Sequence, residues 1–186
     1  MLFSHDTERS LARVVDLVNS TPTGHPDTEQ LADVAALEKF VVTHDVSDVS
    51  ALTGDDVVQV RRLRPALAAV FDARHDRSAA EAVNALVAGA SVRPRLTDHD
   101  GYAWHLHYVG PDSSLSEHLA VDCGMALAQV VAAGERERLR RCDAPACDRV
   151  LVDLSRNRSK RYCDARTCGN RLHVAAYRER RRTTDA

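Results

Sequence analysis

Cys142, Cys147, Cys163 and Cys168 stand as two C-x4-C pairs separated by fifteen residues, within the only strongly basic part of the chain. Two thiolates from each of two short knuckles are what one tetrahedral Zn2+ requires. A site closed by four thiolates is structural, because no coordination position is left for water. A [2Fe–2S] cluster is the competing metal, but the plant-type pattern has a further cysteine two residues on, and none is present here. The fifth cysteine, Cys123, falls on an apolar helical face and reads as a packed thiol.

The charge around the cysteines points to a polyanion. Residues 136–182 hold fifteen Arg/Lys and six Asp/Glu, formally +9, whereas the rest of the chain holds ten basic and 21 acidic side chains, formally −11. The net charge of −2 hides this division, which is the more informative quantity. Candidate phosphate contacts are Arg156, Arg158, Lys160, Arg161, Arg178, Arg181 and Arg182. Asn170 and Arg171 suit adenine and guanine edges. Asn170 could instead bond a zinc thiolate or cap a turn, and Arg171 could pair with Asp153 or Asp164. Few aromatic rings accompany these cations, which favours duplex DNA over single strands.

The elements that must position these residues are mainly helical. At 186 residues, 44% apolar and 28% charged, the chain suits one medium domain plus a small module. Leu11, Val14, Val15 and Val18 predict a helix over residues 9–19. Asp27 with Gln30, Thr53 with Asp55 and Asp56, Ser78 with Glu81, and Ser114 with Glu117 mark four further helix starts. Pro65 should kink or split the third helix. Residues 92–98 and 102–108 flank Asp98-His99-Asp100-Gly101 and predict a hairpin, with Tyr102, Trp104, Leu106 and Tyr108 on one face and His105 and His107 on the solvent face. Residues 134–141 read as a charged connector. In the tail, Val150–Leu154 predicts a short strand, Ser155–Lys160 a turn, and residues 167–182 a helix, a treble-clef-like order.

The fold expected is therefore mainly α with one β-hairpin (α+β): a helical domain over 1–134 and a zinc module over 135–186. A pocket combining Asn19, Arg64 and Trp104 could hold a small anionic ligand; alternatively Asn19 ends its helix, the arginine faces solvent and Trp104 is core. The helix through Leu119–Val131 is either internal core or half of a homodimer interface. Enzyme signatures are missing: there is no G-x-S-x-G, H-E-x-x-H, phosphate-binding glycine loop or dinucleotide fingerprint. Neither a signal peptide nor an apolar membrane run is evident, so the cytoplasm is the expected location. There, paired thiols serve metals rather than disulfides. The preference for Arg over Lys suits a GC-rich bacterial genome.

The stretch Arg141-Cys-Asp-Ala-Pro-Ala-Cys147, then Leu151-Val-Asp-Leu-Ser-Arg-Asn-Arg-Ser-Lys-Arg-Tyr-Cys163, then Thr167-Cys-Gly-Asn-Arg171 closely resembles the CGNR zinc finger. Val14-Val-Asp-Leu-Val-Asn-Ser20 is similar to the opening of the stress-induced transcription regulator-like (ABATE) domain usually fused to it, with Ser20 where Thr is common. The resemblance implies a zinc-finger regulator with one structural Zn2+; the charge division adds the expectation that the basic module binds double-stranded DNA and the helical domain takes a small-molecule or protein effector. RNA or ribosome binding through the same basic module, or a protein-interaction adaptor, are the alternative functions.

Overall fold

The computed structural model describes residues 2–22, 28–47, 49–98, 104–110 and 112–169. Ser4 opens the first helix, α1 (His5–Asn19), by accepting the Thr7 N–H. Its buried stripe is Leu11, Val14, Leu17 and Val18. The second helix, α2 (Val34–Thr43), starts later than the Asp27/Gln30 pattern predicts: Asp33 caps it, taking the Ala36 N–H at 2.9 Å. Asp27 lies outside the described residues.

Thr53 and Asp56 form the expected capping box for α3 (Gly54–Phe71). Pro65 does not split this helix. It is exposed, so water can serve the Arg61 carbonyl that proline leaves without its N–H partner. For α4 (Asp76–Val87), Ser78 is the third helical residue rather than the cap. His75 occupies the cap, and its Nδ1 accepts the Ser78 N–H at 3.1 Å.

Two short strands, β1 (Arg95–Thr97) and β2 (His105–His107), form the first hairpin in the register Leu96↔Leu106. Tyr102 and residues 99–101 of the turn lie outside the described residues. The faces of the hairpin are opposite to the sequence expectation. Trp104 and Leu106 are exposed, while His107 is buried beside His118, with ring centroids 6.1 Å apart. The reason lies beneath it: the body presents Arg13, His118 and Asp122 there, a polar floor that suits imidazole better than an apolar face.

Ser114 and Glu117 box the start of α5 (Leu115–Ala132) as expected. This helix is central, packing on α1, α3 and α4, with Leu119, Cys123, Leu127 and Val130 fully buried. Gly124 lets α4 approach closely: a Cβ there would meet Val87 Cγ1 at 2.5 Å. Gly134, at φ +69, ends α5, with the Glu135 N–H returning to the Val130 carbonyl at 3.0 Å.

A 3-10 turn (Arg136–Arg138) then feeds β3 (Leu139–Arg141), which pairs antiparallel with β4 (Val150–Val152). The predicted connector is thus partly a strand. Leu139, Val150 and Val152 join the same hydrophobic core as the helices. No helix among the described residues is long and apolar enough to cross a membrane.

Candidate metal centre

The first cysteine knuckle grows from the end of β3. The Cys142 N–H donates to the Arg149 carbonyl at 2.9 Å, and the Cys147 N–H to the Ala144 carbonyl at 3.2 Å. Ala146, at φ +57, makes the sharp turn between them. The second knuckle is tied to the first by the Asp143 N–H on the Arg161 carbonyl at 2.9 Å, and by the Cys163 N–H on Cys142 Sγ at 3.4 Å. Asp164 closes the last turn, residues Ala165–Gly169, by accepting from the Thr167 and Gly169 N–H groups.

The four Sγ atoms lie within 4.8 Å of one another. Cys147–Cys163 is 3.8 Å, Cys163–Cys168 3.7 Å and Cys147–Cys168 3.7 Å. A tetrahedron of Zn–S bonds of roughly 2.3 Å has edges of about 3.8 Å, so this donor set fits one structural zinc ion. Burial pushes the Cys163 thiol well up, and neighbouring sulfurs add to it. Burial also raises Cys147. At Cys142 burial acts upward too, but N–H groups of Cys163 and Ala144 outweigh it and the thiol falls. A bound cation is what lets clustered sulfurs carry thiolate charge side by side. Cys123 stays apart: it is fully buried among α5 neighbours, and burial pushes its thiol up to about 12.

Between β4 and Cys163 the basic loop is built on Asp153, which is completely buried. Its carboxylate accepts from the Ser155 N–H at 2.9 Å, the Ser155 hydroxyl, and the Lys160 N–H at 2.9 Å. Beneath it, buried Arg138 donates to the Asp153 and Ser155 carbonyls at 2.8 Å and pairs with Glu135 at 2.6 Å. On this frame Arg156 and Lys160 are exposed, and no ion pair involving either is seen among the described residues. Arg158, at φ +51, pairs with Glu135 at 2.9 Å and Glu137 at 3.6 Å. Arg161 pairs with Asp143 at 2.7 Å yet leaves 64% of its side chain exposed. Asn170, Arg171, Arg178, Arg181 and Arg182, with most of the predicted C-terminal helix, lie outside the described residues.

The trio of Asn19, Arg64 and Trp104 is not brought together, which corrects the sequence reading. Asn19 is spent on β4: its Nδ2 donates to the Val150 carbonyl at 2.9 Å, and its Oδ1 accepts the Val150 N–H at 2.8 Å. Arg64 is buried in a bidentate pair with Glu29, at 2.8 and 2.7 Å. Trp104 stands on the hairpin, 65% exposed. Asn19 lines a hollow that neither Arg64 nor Trp104 lines, and Trp104 lines one that neither Asn19 nor Arg64 lines.

The residues missed by sequence reasoning are those that fasten the module to the helices. Arg141 reaches Asp72 at 2.8 and 2.7 Å, and Arg136 reaches Asp76 at 2.9 Å and the Ala73 carbonyl at 3.2 Å. In sequence these arginines are indistinguishable from the phosphate-binding candidates. The one signal available was at the α3–α4 junction, where two aspartates, Asp72 and Asp76, stand four residues apart around a helix end.

Residues 138–181 match the CGNR zinc finger. Residues 11–134 match ABATE, described as "Putative stress-induced transcription regulator". Neither is an enzyme family. No curated protein matches the chain. With a match covering most of its length, and a cluster of four cysteines with zinc dimensions behind it, the chain belongs to the ABATE family and carries a CGNR zinc finger.

Proposed function

We propose that this protein is a cytoplasmic transcription regulator whose zinc module binds duplex DNA while the helical body takes an effector. One observation carries the reading: the exposed Arg156 and Lys160 crown a loop fixed from below by buried Asp153 and Arg138. Cations displayed on a pre-ordered loop, on a module of formal charge +9 before its four thiolates and Zn2+ take off two units, attached to a body near −11, suit a polyanion approached from one side. Phosphate contacts of this kind position the protein, and sequence selection falls to base-edge contacts elsewhere. Cys142, Cys147, Cys163 and Cys168 hold the zinc, which orders the two knuckles and performs no chemistry. The cysteines, Asp153 and Arg138 therefore act on DNA only by shaping the loop.

The test is to incubate zinc-loaded full-length protein with sheared genomic DNA at physiological salt, recover the complexes and sequence them. Enrichment of a shared motif upstream of a few genes supports the regulator. Uniform recovery or none removes it. Competition by duplex RNA at about tenfold lower concentration than duplex DNA would instead assign an RNA role to the same surface.

A further inference from the structure

Two hollows lie beneath the first hairpin and share Asp6, Ser10, Leu106 and Asp122 as walls. The larger, about 230 Å3, runs between the hairpin, α1 and α5. Its outer wall is apolar. Leu96, Trp104 and Leu106 sit together there and leave 62%, 65% and 51% of their surface exposed, an arrangement that marks a binding surface rather than ordinary scatter. Tyr108 contributes a second ring to the lining.

The charge in this hollow has one sign. Asp6 and Asp122 line it, and no Lys or Arg does so among the described residues. The bases paired with Asp122, namely Arg13 and His118 at 3.2 Å each, line the smaller hollow instead. The Asp6 side chain is 61% exposed, with His5 Nδ1 at 3.9 Å. Burial raises the Tyr108 hydroxyl pKa, and both carboxylates push it further up despite a bond to Gln129. Asp122 is already held by Arg13, so Asp6 is the carboxylate of this lining that stands open to a cation.

We propose that this hollow binds a small amphipathic organic cation, with its ammonium group beside Asp6 and its apolar part against Trp104 and Leu106. An indole face attracts a cation through its quadrupole, and more strongly once water is displaced. An anion of the same shape meets the exposed Asp6 carboxylate, and a neutral analogue forgoes its attraction. A ligand there also bridges the hairpin to α1, whose far end holds β4 through Asn19. The inference deepens the effector part of the proposed function, but ligand binding itself does not depend on DNA affinity.

Trp104 is the chain's single tryptophan, so its fluorescence reports on this hollow directly. Zinc-loaded full-length protein is titrated with benzyltrimethylammonium, benzylsulfonate and benzyl alcohol. The cation should give a saturable emission change at about tenfold lower concentration than the other two. Asp6→Asn should abolish that preference while the circular dichroism spectrum is unchanged. Trp104→Leu, followed by calorimetry, should weaken the cation by about fivefold. Equal response to the anion or the neutral analogue, a non-saturating response, or a charge preference that survives Asp6→Asn overturns the proposal. Because no DNA is present, failure here leaves the DNA-binding reading standing, and the converse also holds.

Discussion

Asn19 and Val150, 131 residues apart, exchange two hydrogen bonds, so that a side-chain amide at the end of α1 pairs with β4 as a neighbouring strand would. Val150 is fully buried, and without Asn19 its N–H and carbonyl would both be orphaned on that side. Asn19→Ala should therefore cost about 2 kcal/mol in urea unfolding. Asn19→Asp should be no milder, because one carboxylate oxygen would face the Val150 carbonyl. A loss below about 0.5 kcal/mol for both variants would show that water replaces the clamp.

Metal removal should be felt beyond the module. Leu139, Val150 and Val152 belong to the helical core, so stripping zinc with a chelator should lower the melting temperature of the whole chain. A boundary at residue 134, as the sequence places it, would leave the helical part indifferent. Cys163→Ser should lose the metal and reproduce the shift. The check is zinc released per chain, read by a chromogenic chelator, alongside a melt followed at a helical wavelength. A helical transition that does not move would disconnect the two parts.

The Glu29–Arg64 pair should leave a pH signature. The Arg64 guanidinium holds the Glu29 carboxyl below its ordinary value of 4.5. A carboxylate depressed in the folded state contributes stability above its unfolded pKa and loses it as pH falls through the folded one. Wild-type stability should therefore decline as pH drops below 4.5, and Glu29→Gln should decline less over that range. At neutral pH, Glu29→Ala should cost about 2 kcal/mol, since it leaves buried Arg64 without its counter-ion. Denaturant midpoints across pH would measure both.

The basic loop should be read through salt. Arg156→Ala and Lys160→Ala should each make the slope of log DNA affinity against log salt shallower by about 1. Arg158→Ala should change it less, since Glu135 already holds that guanidinium at 2.9 Å. Fluorescence anisotropy with a labelled duplex at several salt concentrations distinguishes them. Identical slopes for all three variants would move the interface off this loop.

Much of this was legible because it is local. Ligand spacing revealed the zinc site, since both knuckles are short turns. The boxes at Thr53–Asp56 and Ser114–Glu117 needed only three-residue arithmetic. Where two local solutions competed, the choice was not legible: Ser78 can cap a helix or support a cap at His75, and the chain takes the second. The hairpin faces were reversed because alternation shows which residues share a side, not which side the body favours. A floor of Arg13, His118 and Asp122 made His107 the inward residue. The Asn19–Val150 and Arg141–Asp72 contacts cross the chain and leave no periodic trace.

The burial of β4 also bears on how long each copy of the protein survives. Val150 and Val152 are buried in the core shared with the helices, and Leu151 between them is fully buried as well. A copy that fails to acquire its metal releases a short β-branched edge of the kind that pairs with other chains and that proteases and chaperones seize. Metal supply would then set the cellular abundance of this protein as well as its shape, and starvation for zinc would clear it by turnover.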